Sequence, residues 1–298
     1  MKKAKKYFDP KAAAKLSNLP LRARLAVEGY LIGQHKSPYH GFSVEFSEHK
    51  AYGIGDEIKH IDWKIFGKTD RYYVKRFEEE TNLRSYILLD TSRSMGFVGN
   101  GSIDKITYGA FLSTALSYLM LKQRDSVGLV LFNDKITKFL PGKASKSHLN
   151  IIMNTLDKIE LGNNTKIKPI LDQMAERIKK RGLVILISDL LDDPDEIMKG
   201  LSHFKHNKQE VIVFHILDKK EFDFDFKKRT KFIDMETGET ITTDPWHIRE
   251  SYKERFDFYQ KKYKLGCRKQ KIDYVPLFTD HPIDNALSEY LKKRKMTY

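Results

Sequence analysis

The side chains best suited to chemistry in this chain carry oxygen and follow short apolar segments. Asp90, Ser92 and Ser94 stand at positions i, i+2 and i+4 directly after one such segment. A loop can point side chains at this spacing toward one ion, and oxygen atoms are the ligands that Mg²⁺ and similar hard cations prefer. Asp and Ser are also common in ordinary turns, so the spacing by itself is a weak signal for a metal site.

Two further loops offer ligands of the same kind. Thr165 follows Gly162, Asn163 and Asn164 in a loop just before a predicted helix, and Asp189 follows the apolar segment 183–188. In an open α/β sheet, ligands bind beyond the carboxyl ends of the strands. The sequence therefore predicts that these loops and the Asp90 loop meet at one edge of a sheet.

The elements that must position these loops alternate between strand and helix from residue 85 onward. The predicted strands are 86–89, 126–132, 136–140, 183–188, 211–217 and 274–278. The predicted helices are 103–123, 148–159, 167–180, 193–205, 249–264 and 283–293. Apolar strands separated by helices are typical of a mainly parallel sheet with helices on both faces. We therefore predict a doubly wound α/β fold, in which 136–140 forms an antiparallel edge strand.

The first 81 residues follow a different pattern. Segment 19–32 has helical spacing, whereas 42–46 and 71–77 read as extended strands. We therefore predict an N-terminal helical and β extension over residues 1–81, followed by the α/β domain over residues 82–298. Farther along, Phe222, Phe224 and Phe226 alternate with aspartates, which predicts a half-buried edge segment, with an exposed aromatic docking strip as the alternative.

Composition limits the class of protein. The chain has 298 residues, of which 40% are hydrophobic and 32% charged, as in a folded globular protein. Its apolar runs are too short for a transmembrane segment, and its start does not resemble a secretory signal. The single cysteine, Cys267, excludes an internal disulfide framework and fits a reducing compartment. These features lead us to expect a cytoplasmic protein.

The net charge of +14 is concentrated at the two ends of the chain. Residues 1–40 carry +7 and residues 249–298 carry +6, whereas residues 41–248 carry only +1. Basic patches attract nucleic acids and anionic membrane surfaces, so a protein that binds such partners is the alternative function. The charges are interleaved with apolar residues over predicted helices, which is equally typical of solvated helix faces.

Several segments together resemble the bacterial domain-of-unknown-function family 58, which carries a von Willebrand factor A-like domain. The segments that carry the resemblance are 41–46 (GFSVEF), 55–56 (GD), 61–63 (IDW), 73–80 (YVKRFEEE), 123–129 (QRDSVGL), 217–218 (LD) and 279–280 (TD). The set formed by Asp90, Ser92, Ser94, Thr165 and Asp189 is similar to the metal-ion-dependent adhesion site of von Willebrand A-like domains. The resemblance implies that these five residues hold Mg²⁺ or another divalent cation such as Mn²⁺.

The resemblance also implies a function without bond-making chemistry. An open position on the ion would accept a Glu or Asp from a partner protein, and family members resemble partners of MoxR-type AAA+ ATPases. The expected role is an adaptor in bacterial protein-complex assembly or stress response. The chain departs from the family pattern at Asn163 and Asn164, where the family has paired glycines. It also has Lys166 where the family often has an acidic residue.

Enzymatic alternatives have less support. An aspartate after a core strand can accept a phosphoryl group, but the haloacid-dehalogenase pattern needs a second aspartate where this chain has Ser92. The dipeptide Gly142-Lys143 lacks the earlier glycine of a Walker A sequence, so we expect ATP hydrolysis to come from a partner.

Overall fold

The computed structural model describes residues 27–28, 49–51, 53, 63–75, 83–99, 103–162, 166–235 and 238–297. Their Cα positions form two compact units, the smaller within residues 34–82 and the larger containing residues 83–297. Of the predicted helix 19–32, Val27 and Glu28 are described and both are helical, whereas the predicted strand 42–46 lies outside the described residues. The predicted domain division into 1–81 and 82–298 stays a prediction.

The smaller unit contains a short two-stranded sheet and one helix. Strand β1 (His49–Ala51) pairs antiparallel with β2 (Tyr73–Lys75), which lies within the predicted extended segment 71–77. Helix α1 (Trp63–Thr69) stands between them in sequence, and the rings of Phe66 and Tyr72 stack with their centroids 4.5 Å apart.

The larger unit is built on a six-stranded sheet. Its strands are β3 (Arg84–Asp90), β4 (Ser126–Phe132), β5 (Ile136–Lys143), β6 (Leu183–Ser188), β7 (Glu210–Leu217) and β10 (Asp273–Phe278). Strands β8 (Thr230–Ile233) and β9 (Thr240–Thr243) form a separate two-stranded antiparallel sheet. The strand order is β10-β7-β6-β3-β4-β5, and every neighbouring pair is parallel except β4 with β5. The mainly parallel sheet and its antiparallel edge strand are therefore confirmed.

Helices cover both faces of this sheet. They are α2 (Lys105–Lys122), α3 (Lys146–Leu156), α4 (Ile167–Arg177), α5 (Pro194–His206), α6 (Lys219–Asp223), α7 (Pro245–Lys269) and α8 (Asp284–Thr297). Side chains of α2, α3 and α8 pack in one hydrophobic cluster, and those of α4, α5 and α7 pack in the other. In β6, Ile185 and Ile187 face the first cluster, whereas Val184 and Leu186 face the second. A strand that is buried on both faces has no polar side, which explains its continuous apolar sequence and confirms the doubly wound fold.

The predicted edge segment over residues 222–226 is not extended. Phe222 and Asp223 are the last two residues of α6, and Phe224 follows the helix with a left-handed φ of 49°. Asp218 caps this helix because its side chain accepts a hydrogen bond from the backbone N–H of Lys220 at 2.7 Å. The cap starts a helical turn that overrides the alternating pattern.

Among the described residues, no helix combines the length and the apolar composition that crossing a membrane requires.

Candidate functional site

Asp90 is the last residue of β3 and lies at the carboxyl edge of the sheet, fully buried. Its Oδ1 accepts a hydrogen bond from the backbone N–H of Ser92 at 2.8 Å, and its Oδ2 accepts one from the hydroxyl of Ser188 at 2.6 Å. Both bonds fix the orientation of the carboxyl group. Ser188 was not among the predicted ligands, although it directly precedes one of them in sequence.

The hydroxyl oxygens of Ser92 and Ser94 lie 3.0 Å apart, and both side chains are buried. Ser92 is the N-cap of a single turn of 3₁₀ helix (Arg93–Gly96), and Ser94 is the second residue of that turn. Two neighbouring ligands of an octahedral Mg²⁺ at about 2.1 Å from the ion are also about 3.0 Å apart. The spacing of the two hydroxyls therefore fits a magnesium ion.

Asp189 follows β6 at the same edge and is 3% exposed. The loop behind it has a left-handed residue, Leu190, with a φ of 54°. Three hydrogen bonds hold this loop in place. The Leu190 N–H donates to Ser188 Oγ at 2.9 Å, the Tyr263 hydroxyl donates to the Leu190 carbonyl at 2.9 Å, and His215 bonds the Asp189 carbonyl at 2.9 Å.

The carboxyl groups of Asp90 and Asp189 are close enough to affect each other electrostatically. The pKa of Asp90 is raised from 3.8 to about 7. Burial is the largest cause, and the negative charge of Asp189 is the second. Two buried carboxylates in proximity favour either a shared proton or a bound cation. The electrostatics of this edge of the sheet therefore suit a cation.

A lysine that sequence analysis did not select also reaches this edge. The Nζ atom of Lys105 lies 2.7 Å from Asp189 Oδ2 and 3.0 Å from Glu221 Oε2. Burial lowers the pKa of Lys105, but the charges of Asp189 and Glu221 outweigh burial and raise the pKa above its ordinary value. Lys105 is the first residue of α2, and nothing in its local sequence indicates a partner 84 positions away.

The His215 side chain holds the backbone of Asp189 in place. Its Nε2 lies 2.9 Å from the Asp189 carbonyl oxygen, and its Nδ1 lies 2.6 Å from the Tyr274 hydroxyl. Because a carbonyl oxygen can only accept, Nε2 carries the proton and Nδ1 accepts from Tyr274. Burial lowers the pKa of His215 to about 4, so the ring is neutral at pH 7.

Thr165 lies outside the described residues, as do Asn163 and Asn164. The chain just before them is held beside the site, because the Gly162 N–H donates to the Thr91 carbonyl at 2.8 Å. Any side chain on Gly162 would collide with Asn133, so the close approach requires glycine.

Four of the five predicted ligands therefore lie at one edge of the sheet: Asp90, Ser92, Ser94 and Asp189. The part of the chain that the structure describes contains no cluster of three or more His, Cys, Asp or Glu side chains arranged to hold a metal. A site with two carboxylates and several hydroxyls falls below that number. The assignment of the five residues as metal ligands stays a prediction.

A cleft of about 550 Å³ opens beside Asp189. Its walls include Leu191, Phe258 and Tyr259, whose exposed fractions are 55%, 63% and 48%. His215 also lines the cleft. Exposed apolar side chains around a concave surface are typical of a binding site.

A family model described as "Protein of unknown function DUF58" matches residues 48–262. The chain belongs to this family. The DUF58 chain is 23% identical over 233 residues to an uncharacterized protein of Mycobacterium bovis, and the match covers 77% of this chain and 73% of that protein.

Among solved structures, the DUF58 chain is similar to an aerotolerance-related membrane protein from Bacteroides fragilis. That match has 18% identity and a TM-score of 0.47, and it covers 71% of this chain and 99% of the other. A second similar structure is the SpRpn10 VWA domain, with 13% identity, a TM-score of 0.39 and coverage of 70% and 94%. The function proposed for this DUF58 chain therefore rests on its own side chains.

Proposed function

We propose that this DUF58 chain is a non-enzymatic, metal-dependent protein-binding module that serves as an adaptor for a MoxR-type AAA+ ATPase. The observation that carries the proposal is the oxygen-lined edge of the sheet formed by Asp90, Ser92, Ser94 and Asp189, of which Asp189 also lines an exposed cleft. The role would be in bacterial protein-complex assembly or stress response.

Asp90, Ser92, Ser94, Thr165 and Asp189 would hold Mg²⁺ or another divalent cation such as Mn²⁺. Both oxygens of Asp90 already accept hydrogen bonds, whereas Asp189 Oδ1 accepts none from any described residue. Asp189 therefore retains an oxygen with which to meet a cation or its water. When bound, the ion supplies a coordination position for a carboxylate oxygen of the partner.

The surface next to the site suits a partner that is both acidic and apolar. Leu191, Phe258 and Tyr259 offer apolar contact area within the cleft. Helix α7, which forms one wall of the cleft, contains eight Lys and Arg residues against three Asp and Glu. Electrostatic complementarity of this kind raises association rates and selects against basic partners.

Calorimetric titration with MgCl₂ tests the metal site in the full-length chain. We expect saturable binding by the wild-type protein and its loss in Asp90→Ala. The control is Asp195→Ala, because that aspartate is exposed and makes a surface ion pair with Lys262 at 2.6 Å. Equal binding by all three proteins would refute the metal assignment.

The partner is tested separately with the purified cognate MoxR-type ATPase. We expect the wild-type chain to capture the ATPase in the presence of Mg²⁺, and Asp90→Ala or excess EDTA to abolish capture. Absence of association in both Mg²⁺ and EDTA would rule out the adaptor role while leaving the metal site standing.

The second candidate is a protein that binds a nucleic acid or an anionic membrane surface. The observation that favours it is α7, a 25-residue basic helix on which Trp246 is 58% exposed and Phe258 63% exposed. Binding through basic side chains weakens steeply with salt, because it releases counterions from the polyanion. Retention on DNA or on phosphatidylserine vesicles at 150 mM salt is therefore the test, and negligible retention on both eliminates this function.

A further inference from the structure

We propose that Lys105 is a built-in competitor of the divalent cation, and that its ammonium group sets the affinity of the site for metal by occupying Asp189. This inference rests on the proposed function, since it concerns the same site. Lys105 is not one of the predicted ligands, yet it controls how strongly the ion binds.

The first step is the placement of the ammonium group. Lys105 Nζ lies 2.7 Å from Asp189 Oδ2, and the side chains of the two residues are only 1% and 3% exposed. A divalent cation that approached Asp189 would therefore meet a carboxylate that already has a positive partner. At this burial the repulsion between the ion and the ammonium group is weakly screened by water.

The second step is that Lys105 has other favourable contacts besides Asp189. Its Nζ lies 3.2 Å and 3.0 Å from the two carboxylate oxygens of Glu221, and 5.7 Å from the centre of the Phe97 ring. The ammonium group can therefore give up Asp189 without becoming an unpaired buried charge. An ordinary structural ion pair lacks this second carboxylate, and breaking it would leave one charge uncompensated.

The third step concerns the balance of charge. Lys105 faces two carboxylates, Asp189 and Glu221, and the carboxyl group of Asp90 lies near the first of them. One ammonium group does not neutralise three carboxyl groups, so the site still favours a cation. Lys105 thus weakens metal binding without excluding it. The arrangement predicts a site of modest affinity that tightens when the lysine is removed.

The test measures Mn²⁺ binding to the full-length chain through the electron paramagnetic resonance signal of the free ion. We expect Lys105→Met to bind Mn²⁺ at least about 10-fold more tightly than the wild type, because a positive charge close to the ion is gone. We expect Glu221→Gln to bind several-fold more weakly, because Lys105 is then held by Asp189 alone. A purely structural ion pair would weaken binding in both variants.

The control for the loss of a lysine is Lys199→Met. That lysine is 64% exposed and pairs with Glu196 on the surface of α5, so its removal should leave the Mn²⁺ affinity unchanged within about twofold. Should Lys105→Met fold poorly in circular dichroism, the variant Lys105→Met/Glu221→Gln carries the same test. It removes one carboxylate along with the ammonium group, and we expect it also to bind more tightly than the wild type.

Two results overturn the inference in distinguishable ways. If Lys105→Met and the double variant bind Mn²⁺ no more tightly than the wild type, while Asp90→Asn abolishes binding, the lysine has no competing role and the metal site stands. If no variant binds Mn²⁺, the inference and the proposed metal-dependent function fail together.

Discussion

Ser188 Oγ lies 2.6 Å from Asp90 Oδ2, and the same oxygen accepts the backbone N–H of Leu190 at 2.9 Å. One hydroxyl therefore joins the carboxyl end of β3 to the loop that follows β6. The two strands are parallel neighbours with Leu89 opposite Ile187, so this register brings the next residues, Asp90 and Ser188, side by side. The position of the Asp90 carboxyl group and that of the Asp189 loop are thus mechanically linked.

Ser188→Ala should lower the free energy of unfolding by about 1–3 kcal/mol, because Oδ2 of the buried Asp90 and the backbone N–H of Leu190 both lose the hydroxyl that they bond. Urea denaturation measures the change. The control is Ser202→Ala, whose exposed hydroxyl bonds the carbonyl of Lys199, and there we expect less than about 0.5 kcal/mol. Similar losses in the two variants would show that the Ser188 contact contributes little.

His215 should make stability fall as the pH is lowered from about 6.5 toward 4. Burial lowers its folded pKa from 6.5 to about 4, so in this window the unfolded chain binds a proton that the folded chain excludes. At about 1.4 kcal/mol per pKa unit, the largest effect is on the order of 3 kcal/mol. The raised pKa of Asp90, about 7, acts in the opposite direction, since there the folded chain binds the extra proton.

A difference between two proteins isolates the His215 contribution. His215→Gln keeps an N–H that can donate to the Asp189 carbonyl but has no proton to gain. Urea denaturation of both proteins at several pH values between 4.5 and 7.5 should give a stability difference that changes with pH in the stated direction. A difference that is constant across this range would contradict the burial of a neutral imidazole.

Tyr263→Phe should loosen the loop after β6. The Tyr263 hydroxyl lies 2.9 Å from the Leu190 carbonyl and 3.1 Å from the Asp192 carbonyl, and its loss should cost about 1–2 kcal/mol. Hydrogen exchange of the amide of Leu191 should become faster. Tyr259→Phe, on the same helix but 48% exposed, should leave both quantities unchanged. Unaltered exchange in Tyr263→Phe would mean that the loop is held by other contacts.

Substitutions in the cleft should separate binding from folding. Leu191→Ser and Phe258→Ser remove exposed apolar side chains, so we expect stability changes within about 0.5 kcal/mol. If the cleft receives the partner, capture of the MoxR-type ATPase should weaken at least about 10-fold. Leu265→Ser is the control, since Leu265 is 57% exposed on the same helix and does not line the cleft. Equal capture by all three variants would place the partner elsewhere.

Local sequence patterns predicted most of the larger unit because its elements are decided over short distances. The continuous apolar run of β6 indicates a strand buried on both faces, and Asp193 followed by Pro194 indicates the start of a helix. Both features are present, with the Asp193 side chain accepting the Asp195 N–H at 2.8 Å. The alternation at residues 222–226 did not produce an extended segment, because the N-cap Asp218 starts a helix that runs through Asp223.

The sequence by itself therefore determined the alternation of strands and helices and the oxygen-bearing side chains at the strand ends. Only the tertiary structure decided which distant groups meet there, as when Lys105 reaches Asp189 across 84 positions and Ser188 reaches Asp90 across 98. The physical reason is that secondary structure depends on neighbours along the chain. Contacts between loops depend instead on strand order, register and helix packing, which no local pattern encodes.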